Sequence, residues 1–167
     1  MSMGLLVHWI SAFLLVAMAS FALIEAKSSS LIPKSLFLWP LAGFLFGLMA
    51  FGSLVSMKNH ALVALGVVMI LCSVQAFFVN IRKISRWPSG AVWLTLVLVA
   101  ILYQIPYTGA DEPLFHTFLR RLSGLLWAAV GITKVLSEKT VSQEGAVPTW
   151  ITLLYLQALL IASFPVS

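Results

Sequence analysis

The feature that most limits the fold of this chain is a series of long stretches without charged side chains. The first runs from Met1 to Ile24 and ends only at Glu25 and Lys27. Of the 167 residues, 61% are hydrophobic and 9% are charged, whereas an ordinary globular domain has about 25% charged residues. Because so few charged groups cannot cover a globule in water, the sequence excludes a soluble domain and predicts an integral membrane protein.

Six largely apolar segments, five of them without lysine or arginine, are long enough to cross a bilayer, because a transmembrane helix takes about 20 residues. We therefore expect an all-α, polytopic membrane protein, a compact bundle of six transmembrane helices with short loops. The whole chain, residues 1–167, forms a single transmembrane domain in this interpretation. The predicted spans are about 5–26, 35–57, 61–81, 90–107, 114–136 and 149–165.

Lysine and arginine are distributed unevenly among the connections between the predicted spans. The first, third and fifth connections hold two, three and two of them, whereas the second holds only Lys58 and the fourth holds none. Cytoplasmic loops carry an excess of basic residues, so we expect both termini outside. The formal net charge of +5 is then an orientation signal, and no nucleic-acid partner is expected.

Groups that could support catalysis or bind a metal are few and scattered. Acidic side chains occur only at the ends of the predicted spans, at Glu25, Asp111, Glu112, Glu138 and Glu144. Their spacing matches no metal-binding or acid–base motif, and the single cysteine, Cys72, excludes a disulfide framework or a CxxC pair. We therefore predict a protein that is not an enzyme and that needs no metal and no cofactor.

Three histidines fall near the outer ends of the predicted helices, at His8, His60 and His116. A bundle haem needs axial ligands that face each other, and no second histidine lies deep in a partner span. Interfacial histidines bonded to water and headgroups are one interpretation. Histidine titrates near neutral pH, so pH sensing at the outer face is the functional alternative.

Uncharged amides lie within the predicted spans or at their edges, at Gln75, Asn80, Gln104 and Gln157. Polar groups are costly in hydrocarbon, so we expect these side chains to point into the bundle. There they would bond a neighbouring helix or line a wet path. Amides without a buried acid suit a neutral, hydrogen-bonding solute better than an ion.

Several short signatures occur in the order found in a known family. They are PKS at 33–35, Gly43, the series Asn80, Trp87, Pro88 and Trp93, SGLLW at 123–127, and QALLIASFP at 157–165. In these signatures the chain resembles the urea and short-chain amide channel family (AmiS/UreI type), distantly but over nearly its whole length. The resemblance implies a homo-oligomer in the bacterial inner (cell) membrane, with a pore in each protomer and both termini outside.

The resemblance also implies which residues line the solute path. Trp127 would be a gate residue with Leu126 beside it, and Gln157 stands where some family members have a glutamate. Asn80 and Gln75 complete the predicted path. We therefore expect a passive channel or facilitator for a small neutral solute such as urea or a short amide, although the family's aromatic constrictions are reduced here.

A second interpretation comes from the string TFLRRLSG at 117–124. It resembles the S-x-x-x-R-x-S-G stretch with which succinate dehydrogenase membrane anchors hold quinone. Under this alternative the protein is a small anchor or interaction subunit of a larger, quinone-linked membrane complex, and Arg121 and Ser123 contact the quinone.

Overall fold

The computed structural model of the protein describes residues 3–27, 37–52, 60–81, 90–105, 113–139 and 147–163. These ranges contain six helices and no strand, so the predicted all-α bundle of six helices is confirmed. The helices are α1 (Met3–Lys27), α2 (Leu38–Gly52), α3 (His60–Asn80), α4 (Gly90–Gln104), α5 (Leu114–Lys139) and α6 (Thr149–Ala162). Helix α4 opens with a 3-10 segment, Gly90–Leu94.

Prolines mark three of the helix starts. Pro40 lies in the first turn of α2, Pro113 immediately precedes α5, and Pro148 immediately precedes α6. The backbone nitrogen of Ile151 donates to the carbonyl of Pro148 at 2.9 Å, and that of Thr117 donates to Pro113 at 3.1 Å. A proline is tolerated at a helix start because the first backbone N–H groups have no intrahelical partner, so the missing donor costs nothing.

The six helices form a closed ring. Each helix packs against the next one along the chain, and α6 packs against α1. Side-chain contacts show that α5 and α6 run antiparallel, because Ser123 meets Gln157 at one level and Lys134 meets Trp150 at another. Helix α6 therefore begins at the end of the ring where α5 ends, and the contacts of Trp150 with Trp39 and Trp93 place the starts of α2 and α4 at that end too.

Glycines allow α2 and α3 to approach closely. A Cβ atom at Gly43 would lie 2.7 Å from the Ser73 hydroxyl, and one at Gly47 would lie 2.9 Å from the carbonyl oxygen of Gly66. These two levels also show that α2 and α3 are antiparallel. The spacing of Gly43 and Gly47 is the small-xxx-small pattern that permits backbone contact between helices.

The outer surface of the ring is apolar on every helix. Large hydrophobic side chains at or above about half exposure include Phe13, Leu41, Leu71, Leu98, Leu125 and Leu159. Buried polar side chains include Ser73, Gln75, Arg120, Ser123 and Gln157. A water-soluble protein rarely exposes apolar patches this extensive, so the bundle has the surface of a protein that is covered by lipid or by partners.

Two helices, Leu6–Lys27 and His60–Asn80, are long and apolar enough to cross a membrane. Taken alone, they are weak evidence for a membrane protein, because a signal sequence or a buried core helix meets the same criterion. Helices α2, α4 and α6 are apolar but only 14 or 15 residues long. Helix α5 has 26 residues, but Arg120, Arg121 and Lys134 make it less apolar. The described helices thus give two candidate spans where the sequence predicts six.

Candidate functional site

Three tryptophans meet at the end of the ring where α2, α4 and α6 begin. The ring centroids of Trp39 and Trp93 lie 6.2 Å apart, those of Trp39 and Trp150 5.6 Å, and those of Trp93 and Trp150 6.4 Å. All three side chains are at least 95% buried. Because alternate members of a six-helix ring can touch only near its axis, this tryptophan triad occupies the axis at that end.

Lys134 of α5 points its ammonium group at the triad. Its Nζ atom lies 4.6 Å from the ring centroid of Trp150, 5.2 Å from that of Trp39 and 5.9 Å from that of Trp93. All three distances are within the ~6 Å at which cation–π attraction operates. The axis therefore carries a positive charge, held by aromatic faces, at this end.

The triad was not predicted from the sequence, in which Lys134 is one of the two basic residues counted for the fifth connection. The signal that could have predicted the triad is the position of each tryptophan within its helix. Tryptophan is the second residue of α2, the second residue of α6 and the fourth residue of α4. Three helices that begin at one end of a ring and carry tryptophan in the first turn or at its edge bring those side chains to one level.

The middle of the ring holds an amide, a hydroxyl and an indole, which we call the central cluster: Gln157, Ser123 and Trp127. Ser123 and Trp127 are four residues apart on α5 and therefore share one face. The Gln157 Nε2 atom donates to the Ser123 Oγ atom at 2.5 Å, and Gln157 is fully buried. The Trp127 ring packs against Phe46 of α2 with a centroid distance of 5.7 Å, so the cluster also lies at the centre.

Two polar atoms of the central cluster have no hydrogen-bond partner among the described residues. They are the Oε1 acceptor of Gln157 and the Nε1 donor of Trp127. A buried polar atom without a partner costs about 1–3 kcal/mol, which is why most such atoms in folded proteins are paired. An unpaired acceptor and an unpaired donor in one buried cluster can together bind a group that has both an N–H and a C=O.

The other residues of the predicted solute path lie elsewhere. Gln75 accepts a hydrogen bond from the Trp93 Nε1 atom at 3.0 Å, so it belongs to the level of the triad. Asn80 is the last residue of α3 and is half-buried. Leu126 is half-buried too; it follows Leu125 on α5 and points about 100° away from Trp127 around the helix.

The histidines occupy helix starts. His60 is the first residue of α3 and is exposed, and His116 is the third residue of α5 and is half-buried. Since α3 and α5 are antiparallel to α2 and α6, these two side chains lie at the end opposite the tryptophan triad. His8 lies in the second turn of α1 and is half-buried.

The structure separates the two residues of the quinone alternative. Arg121 is exposed, whereas Ser123 is 3% exposed and bonded to Gln157. Residues two apart on a helix point about 200° apart, so they do not converge on one ligand. Of this arginine pair, Arg120 is buried, and its Nη1 atom donates to the carbonyl oxygens of Tyr103 at 2.5 Å and Ile105 at 2.6 Å.

Comparison with known proteins finds no relative. No protein-family model matches the chain, and no curated protein or solved structure matches it. The candidate site therefore has to be interpreted from its own residues.

Proposed function

We propose that the protein is an integral membrane protein with six spans that acts as a passive channel or facilitator for a small neutral solute, such as urea or a short amide. The observation that carries this proposal is the central cluster, where the Gln157 Oε1 atom and the Trp127 Nε1 atom have no partner among the described residues. A primary amide or urea has a donor for the first atom and an acceptor for the second.

The apolar exterior supports the membrane part of the proposal. Exposed leucine and phenylalanine side chains face outward on all six helices, and buried polar groups such as Gln157 and Ser123 face inward. This distribution is favourable in hydrocarbon and unfavourable in water. The spans predicted from sequence extend beyond the shorter described helices, with both termini outside and the protein assembled as a homo-oligomer.

The mechanism that follows combines selection by shape with replacement of hydration. A planar solute moving along the axis leaves its water behind where Trp127 packs against Phe46. At that level its carbonyl oxygen accepts from the Trp127 indole N–H, and its amide N–H donates to the Gln157 carbonyl. The described part of the chain places no carboxylate in this cluster, so an ion would lose its hydration without compensation.

The test is solute entry into proteoliposomes, measured by stopped-flow light scattering with urea, acetamide and glycerol. Wild-type vesicles should take up urea or acetamide faster than empty vesicles. Gln157→Leu should reduce that uptake by about tenfold. Loss of one hydrogen bond to the solute, worth about 1 kcal/mol, accounts for most of this decrease, and the apolar leucine side chain accounts for the remainder.

Gln104→Leu is the matched control for this experiment. Gln104 carries the same side chain, but its Nε2 atom donates to backbone carbonyls of Ala100 and Arg121 and is not part of the central cluster. It should leave uptake close to the wild-type rate. Entry of all three solutes at the rate of empty vesicles would contradict the proposed function.

A further inference from the structure

The tryptophan triad has the geometry of an aromatic cup. The three rings are tilted relative to one another by 36°, 54° and 46°, so no two of them form a parallel stack. The Lys134 Nζ atom lies over all three rings and within 6 Å of each centroid, so the three faces share one point of contact. Clustered aromatic faces of this kind are the surroundings in which proteins bind organic ammonium ions.

The cup is held in shape by contacts that do not involve Lys134. The Trp93 Nε1 atom donates to the Gln75 Oε1 atom at 3.0 Å, which fixes the edge of that indole and leaves its face for the cation. Trp93 is fully buried, and Trp39 and Trp150 are 4% and 5% exposed. A site whose walls are packed independently of its occupant keeps its shape when the occupant leaves.

The occupant of the cup in this structure is a flexible lysine side chain. Lys134 is half-buried, and its ammonium group sits on a flexible four-carbon stem. Chemically, this side chain is a tethered n-butylammonium ion. The cup therefore already binds the ammonium class of ligand, by way of its own chain.

We propose that the tryptophan triad is a binding site for small alkylammonium cations, and that Lys134 is its tethered, displaceable occupant. A free alkylammonium ion takes the position of the Lys134 ammonium group, and the lysine stem moves toward the end of the ring. The site is distinct from the central cluster, and binding at it does not depend on conduction of solute along the axis.

Because Lys134 is tethered beside the cup, its effect on the affinity for a free cation can be estimated. A ligand that needs an open cup binds with an apparent affinity reduced by the fraction of time that the cup is open. If Lys134 fills the cup about nine-tenths of the time, removing its charge tightens binding of a free cation by about tenfold. Removing one aromatic wall weakens binding by about 2- to 30-fold.

The experiment is a titration of the full-length protein in detergent with n-butylammonium chloride, followed by tryptophan fluorescence at constant ionic strength. Wild type is compared with Lys134→Met, and Lys134→Gln serves as a second uncharged variant if the first does not fold. The neutral probe 1-butanol and sodium chloride are titrated in parallel. Trp150→Leu removes one wall, and Trp9→Leu, a tryptophan that is 54% exposed and outside the triad, is its matched control.

Saturable quenching with a Kd about tenfold lower in the uncharged variant than in wild type supports the proposal. In the uncharged variant, Trp150→Leu should weaken the binding of n-butylammonium, and Trp9→Leu should leave it unchanged. Titration with 1-butanol should give no saturable quenching. The proposal is overturned if the folded uncharged variant shows no saturable response. It is also overturned if 1-butanol gives the same response as n-butylammonium, because the cup would then bind only the alkyl chain.

Discussion

Arg120 and Arg121 are adjacent in sequence but have opposite roles in the fold. Arg120 is 7% exposed and donates to the carbonyl oxygens at the end of α4, whereas Arg121 is exposed. The last carbonyls of a helix have no intrahelical donor, and a basic side chain can supply one. At this position a guanidinium group therefore ties α5 to the end of α4.

We expect Arg120→Met to lower the free energy of unfolding by about 1.5–3 kcal/mol, the range for hydrogen bonds to a charged group. Arg121→Met should change it by no more than about 0.5 kcal/mol, as exposed substitutions usually do. Thermal unfolding in detergent, followed by circular dichroism, compares the two variants. Equal shifts of Tm in the two variants would show that the contact with α4 contributes nothing.

Trp127→Phe separates the ring of this residue from its hydrogen-bond donor. Phenylalanine keeps an aromatic face against Phe46 but lacks the indole N–H, which has no partner in the described fold. We expect urea or acetamide uptake by proteoliposomes to fall about 5- to 10-fold, the equivalent of one hydrogen bond. Tm should fall little, because the volume lost at this fully buried position is offset by removal of a buried donor that has no partner among the described residues; a large drop in Tm with unchanged uptake would mean that Trp127 is a packing residue.

At the scale of elements, the contact between α2 and α3 depends on the absence of side chains. A Cβ atom at Gly66 would lie 2.7 Å from the backbone nitrogen of Phe51 and 2.8 Å from the carbonyl oxygen of Gly47. Backbone atoms cannot move aside as a flexible side chain can. The two helices would therefore have to separate to accept even one methyl group.

We expect Gly66→Ala to destabilise the protein by about 1–3 kcal/mol, the usual cost of overpacking. Gly52→Ala is the matched control, because a Cβ atom there meets nothing within 4 Å. It should leave stability unchanged or raise it slightly, since alanine has the higher helix propensity. Urea or thermal unfolding measures the stability of both variants. A Gly66→Ala protein as stable as wild type would refute the close contact between α2 and α3.

Orientation is a property of the whole molecule, and the distribution of basic residues predicts it. Asn59 belongs to the second connection and Ser85 to the third, by sequence. In intact cells, a membrane-impermeant maleimide should label Asn59→Cys directly and Ser85→Cys only after permeabilisation. The native Cys72 is fully buried and should therefore be labelled little. Labelling of the protein without an added cysteine measures this background. The reverse labelling pattern would invert the predicted topology.

The sequence by itself determined the number of helices and the apolar character of the chain. Long uncharged stretches interrupted by charged or proline-containing segments indicate helix number directly, because hydrophobic runs and helix starts are local properties. The burial of Gln157 inside the bundle was also predictable, because a polar amide is costly in hydrocarbon, whereas the role of Trp127 was implied only by the family resemblance.

Only the tertiary structure decided which side chains meet at the axis. Trp39, Trp93, Lys134 and Trp150 are spread over more than a hundred residues of sequence, and they converge because α2, α4, α5 and α6 belong to one closed ring. The same closure buries Arg120 and exposes Arg121. Periodicity shows which face of a helix a residue occupies, but what that face meets depends on the packing of distant helices, and a single sequence does not encode that packing locally.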